Sequence, residues 1–86
     1  MEVKGWEEKD NALVRELAFE NQTELAEFVL RIARYSDEVE HHADMDIREY
    51  RKLRLSITTH DRNALTERDI EWAKSVNEII DSFRLG

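Results

Sequence analysis

The 86-residue chain contains no cysteine and no proline, and its only glycines are Gly5 and Gly86. Lack of cysteine excludes disulfides, zinc–thiolate sites and thiol nucleophiles together. With so little glycine and no proline there is no linker-like stretch, and no repeat or low-complexity segment breaks the chain. One domain over residues 1–86 is therefore expected. Long apolar runs are missing as well: none approaches the ~20 residues that a membrane helix needs, and the acidic N-terminus does not resemble a signal peptide. The expectation is a soluble, cytoplasmic protein with no membrane partner. Positive charge is the scarcer sign, with 13 Lys and Arg against 20 Asp and Glu and a net charge of −7. Such a surface repels phosphate backbones and argues against direct binding of nucleic acid.

What the chain does have is a globular composition, 41% hydrophobic and 38% charged, which separates it from disordered sequences. A chain of this length buries only roughly 60–65% of its unfolded surface, so self-association is a natural supplement to a thin core.

"GWEEKDNALVRELAF" reads as a hairpin. Trp6 to Lys9 forms one strand, Asp10-Asn11 the tight turn and Ala12 to Phe19 the second strand, since Asp and Asn tolerate positive φ. Leu13, Leu17 and Phe19 share a face, which Arg15 interrupts. Asn21 then caps a helix, with Glu24 in a capping-box position. Leu25, Phe28, Val29, Ile32 and Tyr35 form its apolar stripe, and the helix ends near Glu38. Lys52 to Thr59 alternates strictly, with Leu53, Leu55 and Ile57 on one side and Arg54, Ser56 and Thr58 on the other, as a half-buried strand does. A further strand falls somewhere in His42 to Tyr50. Thr66 caps the last helix with Asp69 three residues on, and Leu65 and Ile70 are placed as a hydrophobic staple. Its stripe runs Trp72, Ala73, Val76, Ile79, Ile80, Phe83. The order β-β-α-β-β-α predicts an α+β, two-layer fold: a four-stranded antiparallel sheet with two helices on one face. Its other face is left to a partner or a second copy.

All three histidines lie in "VEHHADMDIREYRKLRLSITTHD", residues 39–61. Histidine titrates near neutrality and is a common choice for moving protons. If the strands that flank His41-His42 and His60 pair as neighbours, the three imidazoles meet. Asp37, Glu40, Asp44, Asp61 and Asp69 supply carboxylates that can fix a tautomer. Ordinary solvated histidines are the bland alternative. Three histidines and a carboxylate would also suit zinc, but adjacent residues of a strand face opposite ways, so no metal site is expected. The basic "REYRKLR" is read as a solvated or interfacial strand, because its charges occupy both faces.

The same residues resemble the pterin-4a-carbinolamine dehydratases. That family's signature is an acidic or similar residue, His-His-Pro, an aromatic, a histidine and an aspartate. This chain has Asp37, His41-His42-Ala43, Tyr50, His60 and Asp69 at the family's spacing. "TTHDRNALTERDI" resembles the family's Thr-His-x-x-Gly-Gly-Leu-Thr/Ser-Glu-x-Asp-Ile segment, and Gly5-Trp6 its Gly-Trp. The resemblance implies dehydration of 4a-hydroxytetrahydropterin to quinonoid dihydropterin, with no cofactor or metal, commonly in a homotetramer built as a dimer of dimers. It implies acid/base roles for His41 and His60, and substrate holding, within the catalytic trio, for His42. Asp37 and Asp69 match carboxylates that bind pterin or orient imidazole, and Thr59 lies where strand backbone lines the pocket. Ala43 and Met45 fall at pocket positions where the family has proline and an aromatic, and Asn63-Ala64 replaces the glycine pair. Relatives that act as dimerisation cofactors of a transcription factor, or in assembly of a carbon-fixing enzyme, make a non-catalytic interaction protein with a protein partner the alternative.

Overall fold

Asp10 and Asn11 take φ values of 51° and 62°, the left-handed pair of a two-residue hairpin turn. They join β1 (Glu7–Lys9) to β2 (Ala12–Ala18). The chain continues through α1 (Gln22–Val39), β3 (Asp44–Arg48), β4 (Lys52–Ile57) and α2 (Glu67–Ser82). The computed structural model describes residues 3–59, 61 and 64–83. The strands form one antiparallel sheet in the order β1-β2-β4-β3. This is the predicted α+β arrangement.

Register explains where the core lies. Leu13 is paired with Ile57, Leu17 with Leu53, and Met45 with Leu55, so these side chains share one sheet face. Phe28 and Ile32 of α1 and Trp72 and Val76 of α2 belong to the same buried cluster as Leu13, Leu53, Leu55 and Ile57. Both helices therefore cover that face. Arg15 interrupts the apolar alternation on that face: paired with Leu55, it is half-buried, and its guanidinium donates to Asn77 Oδ1 at 2.8 Å. Gly5, at φ 85°, lies against that guanidinium: a Cβ there would collide with Arg15 Nη1. Trp6 precedes β1 instead of starting it, and its indole donates to the same Asn77 oxygen at 2.7 Å.

The helix caps follow the sequence with one change. Asn21 accepts from the Glu24 N–H at 2.8 Å, but the Glu24 carboxylate reaches back to the Glu20 N–H and not to that of Asn21. α1 ends one residue later than expected, at Val39. Glu40 then adopts φ 55°, and the His41 N–H closes the turn on the Ser36 carbonyl at 3.1 Å. β4 is shorter than its alternation suggested. It stops at Ile57, and Thr59 continues in a single bridge to Ala64. No helix among the described residues is long and apolar enough to cross a membrane.

Candidate active site

His41 and His42 occupy the short connection between the left-handed Glu40 and β3, so neither belongs to a strand. The two rings diverge for a different reason than strand alternation: each goes to its own carboxylate. His41 Nε2 lies 2.6 Å from Asp69 Oδ1, and His42 Nε2 lies 2.7 Å from Asp37 Oδ1. The surroundings differ sharply. The side chains of His41 and Asp69 are 10% and 0% exposed, whereas those of His42 and Asp37 are 59% and 77% exposed.

Asp69 is the third residue of α2, and its two oxygens have separate duties. Oδ2 accepts from the Thr66 N–H at 2.8 Å, completing the capping box, and from the Thr59 hydroxyl at 2.9 Å. Oδ1 is left for His41. As a carboxylate Asp69 can only accept, so the neutral imidazole donates from Nε2 and carries its lone pair on Nδ1. Every donor in this network has a partner, and among the described residues no buried side-chain nitrogen or oxygen is left unpaired.

A cleft of about 410 Å³ opens over the imidazoles, lined by Glu40, His41, His42, Ala43, Asp44, Thr59, Asp61 and Arg68. That volume suits a small, ring-sized ligand. Of the residues singled out from sequence, Glu40, His41, His42, Ala43, Asp44, Thr59 and Asp61 meet here. Asp69 is wholly buried and reaches the cleft through the His41 ring. Asp37 stands outside the lining, held to His42. Met45 is half-buried against the core on the helix-facing side of β3. His60 and Asn63 lie outside the described residues. Among the described residues no group of three histidines and carboxylates is placed to hold a metal ion.

Comparisons with known proteins identify the family. The sequence profile of pterin 4 alpha carbinolamine dehydratase matches residues 1–79. The chain belongs to the pterin-4a-carbinolamine dehydratase family. It is 42% identical over 78 residues to a protein of Thermomicrobium roseum provisionally named a pterin-4-alpha-carbinolamine dehydratase, covering 91% of this chain and 83% of that one. A Sulfolobus acidocaldarius protein with the same provisional name is 37% identical, with 91% and 85% covered. Among solved structures, a transcriptional coactivator/pterin dehydratase from Brucella melitensis superposes with a TM-score of 0.80 at 28% identity, over 88% of this chain and 82% of that one. A pterin dehydratase-like protein identified as a RuBisCO assembly factor in the alpha-carboxysome shares the fold, with a TM-score of 0.68 at 16% identity over 85% and 83%.

Two residues around this dehydratase-family site escaped the sequence reading. Ser36 is fully buried: its hydroxyl donates to the Ile32 carbonyl at 2.7 Å and accepts from Trp72 Nε1 at 3.1 Å, tying the end of α1 to α2. A polar residue four positions after Ile32 in an apolar stripe was the available signal. Arg68 donates to the Glu40 carbonyl at 2.9 Å, satisfying an end of α1 that lacks basic residues of its own. Nothing in the sequence pairs those two positions.

Proposed function

We propose that the chain is a cytoplasmic 4a-hydroxytetrahydropterin dehydratase, acting by general acid/base catalysis. The observation that carries this reading is the buried His41–Asp69 hydrogen bond beneath a cleft that His42 also lines. In the reaction the C4a–O bond breaks, the hydroxyl takes a proton and leaves as water, and a proton is lost from a ring or exocyclic nitrogen of the pterin. The products are quinonoid dihydropterin and water. No electrons change hands, so no redox partner enters the balance.

The chain's residues fit that traffic. With Nε2 committed to Asp69, Nδ1 of His41 carries the lone pair that can take a proton. His60, by its match to the family signature, supplies the second acid/base group. His42, set by Asp37 at the rim, holds the pterin together with the backbone around Ala43 and Thr59. Met45, which stands where the family carries an aromatic ring, packs on the core and not on the cleft. We further propose a homotetramer, given the uncovered sheet face.

The interaction-protein alternative draws on the relatives described as a coactivator and an assembly factor, and on Ala43 and Met45. Against it stands a buried imidazole–carboxylate pair. A scaffold would be at least as stable with apolar residues there.

Turnover of a synthetic 4a-hydroxytetrahydropterin tests the proposal. The wild type accelerates dehydration above the buffer rate, unchanged by EDTA, and His41→Ala or His60→Ala loses about 10²-fold, the usual scale for one acid/base group. Wild-type turnover at the buffer rate overturns the enzyme reading.

A further inference from the structure

Thr66 carries an N-cap position, but its hydroxyl makes its short contact elsewhere. Thr66 Oγ1 lies 2.7 Å from Thr59 Oγ1, whereas it is 3.5 Å from Asp69 Oδ2. Counting protons fixes the direction of this pair. Each threonine has one hydroxyl proton. Thr59 is 2.9 Å from Asp69 Oδ2, an acceptor, and gives its proton there. Thr66 must then be the donor to Thr59. The result is a directed chain, Thr66 to Thr59 to Asp69, which meets the imidazole of His41 on the opposite carboxylate oxygen.

We propose that Thr66 is a positioning residue for His41, acting through Thr59 and Asp69; this rests on the dehydratase reading. The physical reason is the number of donors on Oδ2. Two of them, the Thr66 N–H and the Thr59 hydroxyl, pin that oxygen and with it the torsion of the carboxylate. The Thr66 hydroxyl occupies an acceptor site on Thr59 and thereby orients the Thr59 proton towards Asp69. Without it the Thr59 hydroxyl can rotate, Oδ2 keeps a single firm donor, and Oδ1 no longer holds the ring in one place. Chains of this kind strengthen one another where water is excluded. Thr59 and Asp69 are both buried, and Thr66 is half-buried.

A cap and a positioning group can be told apart by the substitution chosen. Asparagine is at least as good an N-cap as threonine, but it lacks the hydroxyl. Thr66→Asn therefore keeps α2 capped and removes the donor to Thr59, Thr66→Ser keeps both, and Thr66→Val removes both. The direct readout is the His41 ring N–H proton in the NMR spectrum without substrate, a downfield signal protected from exchange by its bond to Asp69. The expected result is a broadened or lost ring signal in Thr66→Asn at an unchanged melting temperature, with Thr66→Ser like wild type. In turnover, kcat of Thr66→Asn falls about tenfold at unchanged KM, the mark of a contact that matters in the transition state. A sharp ring signal and full kcat in Thr66→Asn would show a helix cap and nothing more, and would overturn the proposal. Because the ring signal needs no substrate, a wild type without turnover removes the dehydratase reading while the NMR comparison still decides the role of Thr66. Should Thr66→Val fail to fold, the Asn and Ser variants carry the test alone.

Discussion

Two histidine–aspartate hydrogen bonds of nearly equal length stand in this site, and burial makes them unequal. Removing the Asp69 charge leaves three donors, from His41, Thr59 and Thr66, facing an amide that cannot accept from all of them. Asp69→Asn should therefore destabilise the fold by about 3 kcal/mol, the range for breaking a buried charged hydrogen-bond network. Asp37→Asn should shift stability by no more than about 0.5 kcal/mol, because both partners of that pair are solvated. Urea unfolding of the two variants reads the difference directly; equal losses would mean that burial does not separate the pairs. This inequality was not legible in the sequence. Both aspartates were read as companions of imidazoles, but only the fold reveals that α2 inserts its first turn under His41 while Asp37 stays on the outer surface of α1.

At the scale of elements, periodicity carried most of the fold. Strict alternation marked β4, apolar stripes marked both helices, and Thr66 with Asp69 marked the start of α2, because these patterns follow from backbone geometry alone. The end of β4 was over-read, since the same alternation continues to Thr59 after β4 ends at Ile57. The β3–β4 turn was not readable from composition. Glu49 and Tyr50 take φ values of 50° and 58°, a left-handed pair that normally draws Asn and Gly. Asp10-Asn11 announced its turn; Glu49-Tyr50 did not. Each non-glycine residue in that region costs energy, so replacing Glu49-Tyr50 by Asn-Gly should stabilise the fold by about 1–2 kcal/mol. In thermal unfolding that is a rise of about 4–8 °C per kcal/mol for a chain of this size. An unchanged or lower melting point would mean that the exposed Tyr50 contributes contacts which offset the turn strain.

The whole molecule is closed on the helix side and open on the other. Its radius of gyration is 12.2 Å, close to the ~12 Å of a compact chain of this length, so the single chain has a core of its own. The uncovered sheet face is not a bare apolar surface. Arg54 of β4 lies between Glu16 of β2 and Asp46 of β3, its cross-strand partners, and Val14 pairs with Ser56 beside them. Opposite charges directly across an antiparallel pair stabilise it modestly, and they also leave a face that a second copy can meet without burying a net charge of one sign. Large exposed apolar side chains, Leu30, Val39, Ile47 and Tyr50, lie elsewhere, on α1 and the β3–β4 hairpin. Sequence reasoning placed the partner surface on the sheet face; these residues add two further patches that assembly could cover. The proposed homotetramer therefore has a definite consequence for measurement. Light scattering at micromolar concentration should return four times the 10.3 kDa of one chain. The melting temperature should also rise with protein concentration, because association stabilises only the folded chain. A 10.3 kDa particle whose melting temperature ignores concentration would reject the tetramer. The His41–Asp69 site would survive that result, since every described residue that builds it comes from one protomer.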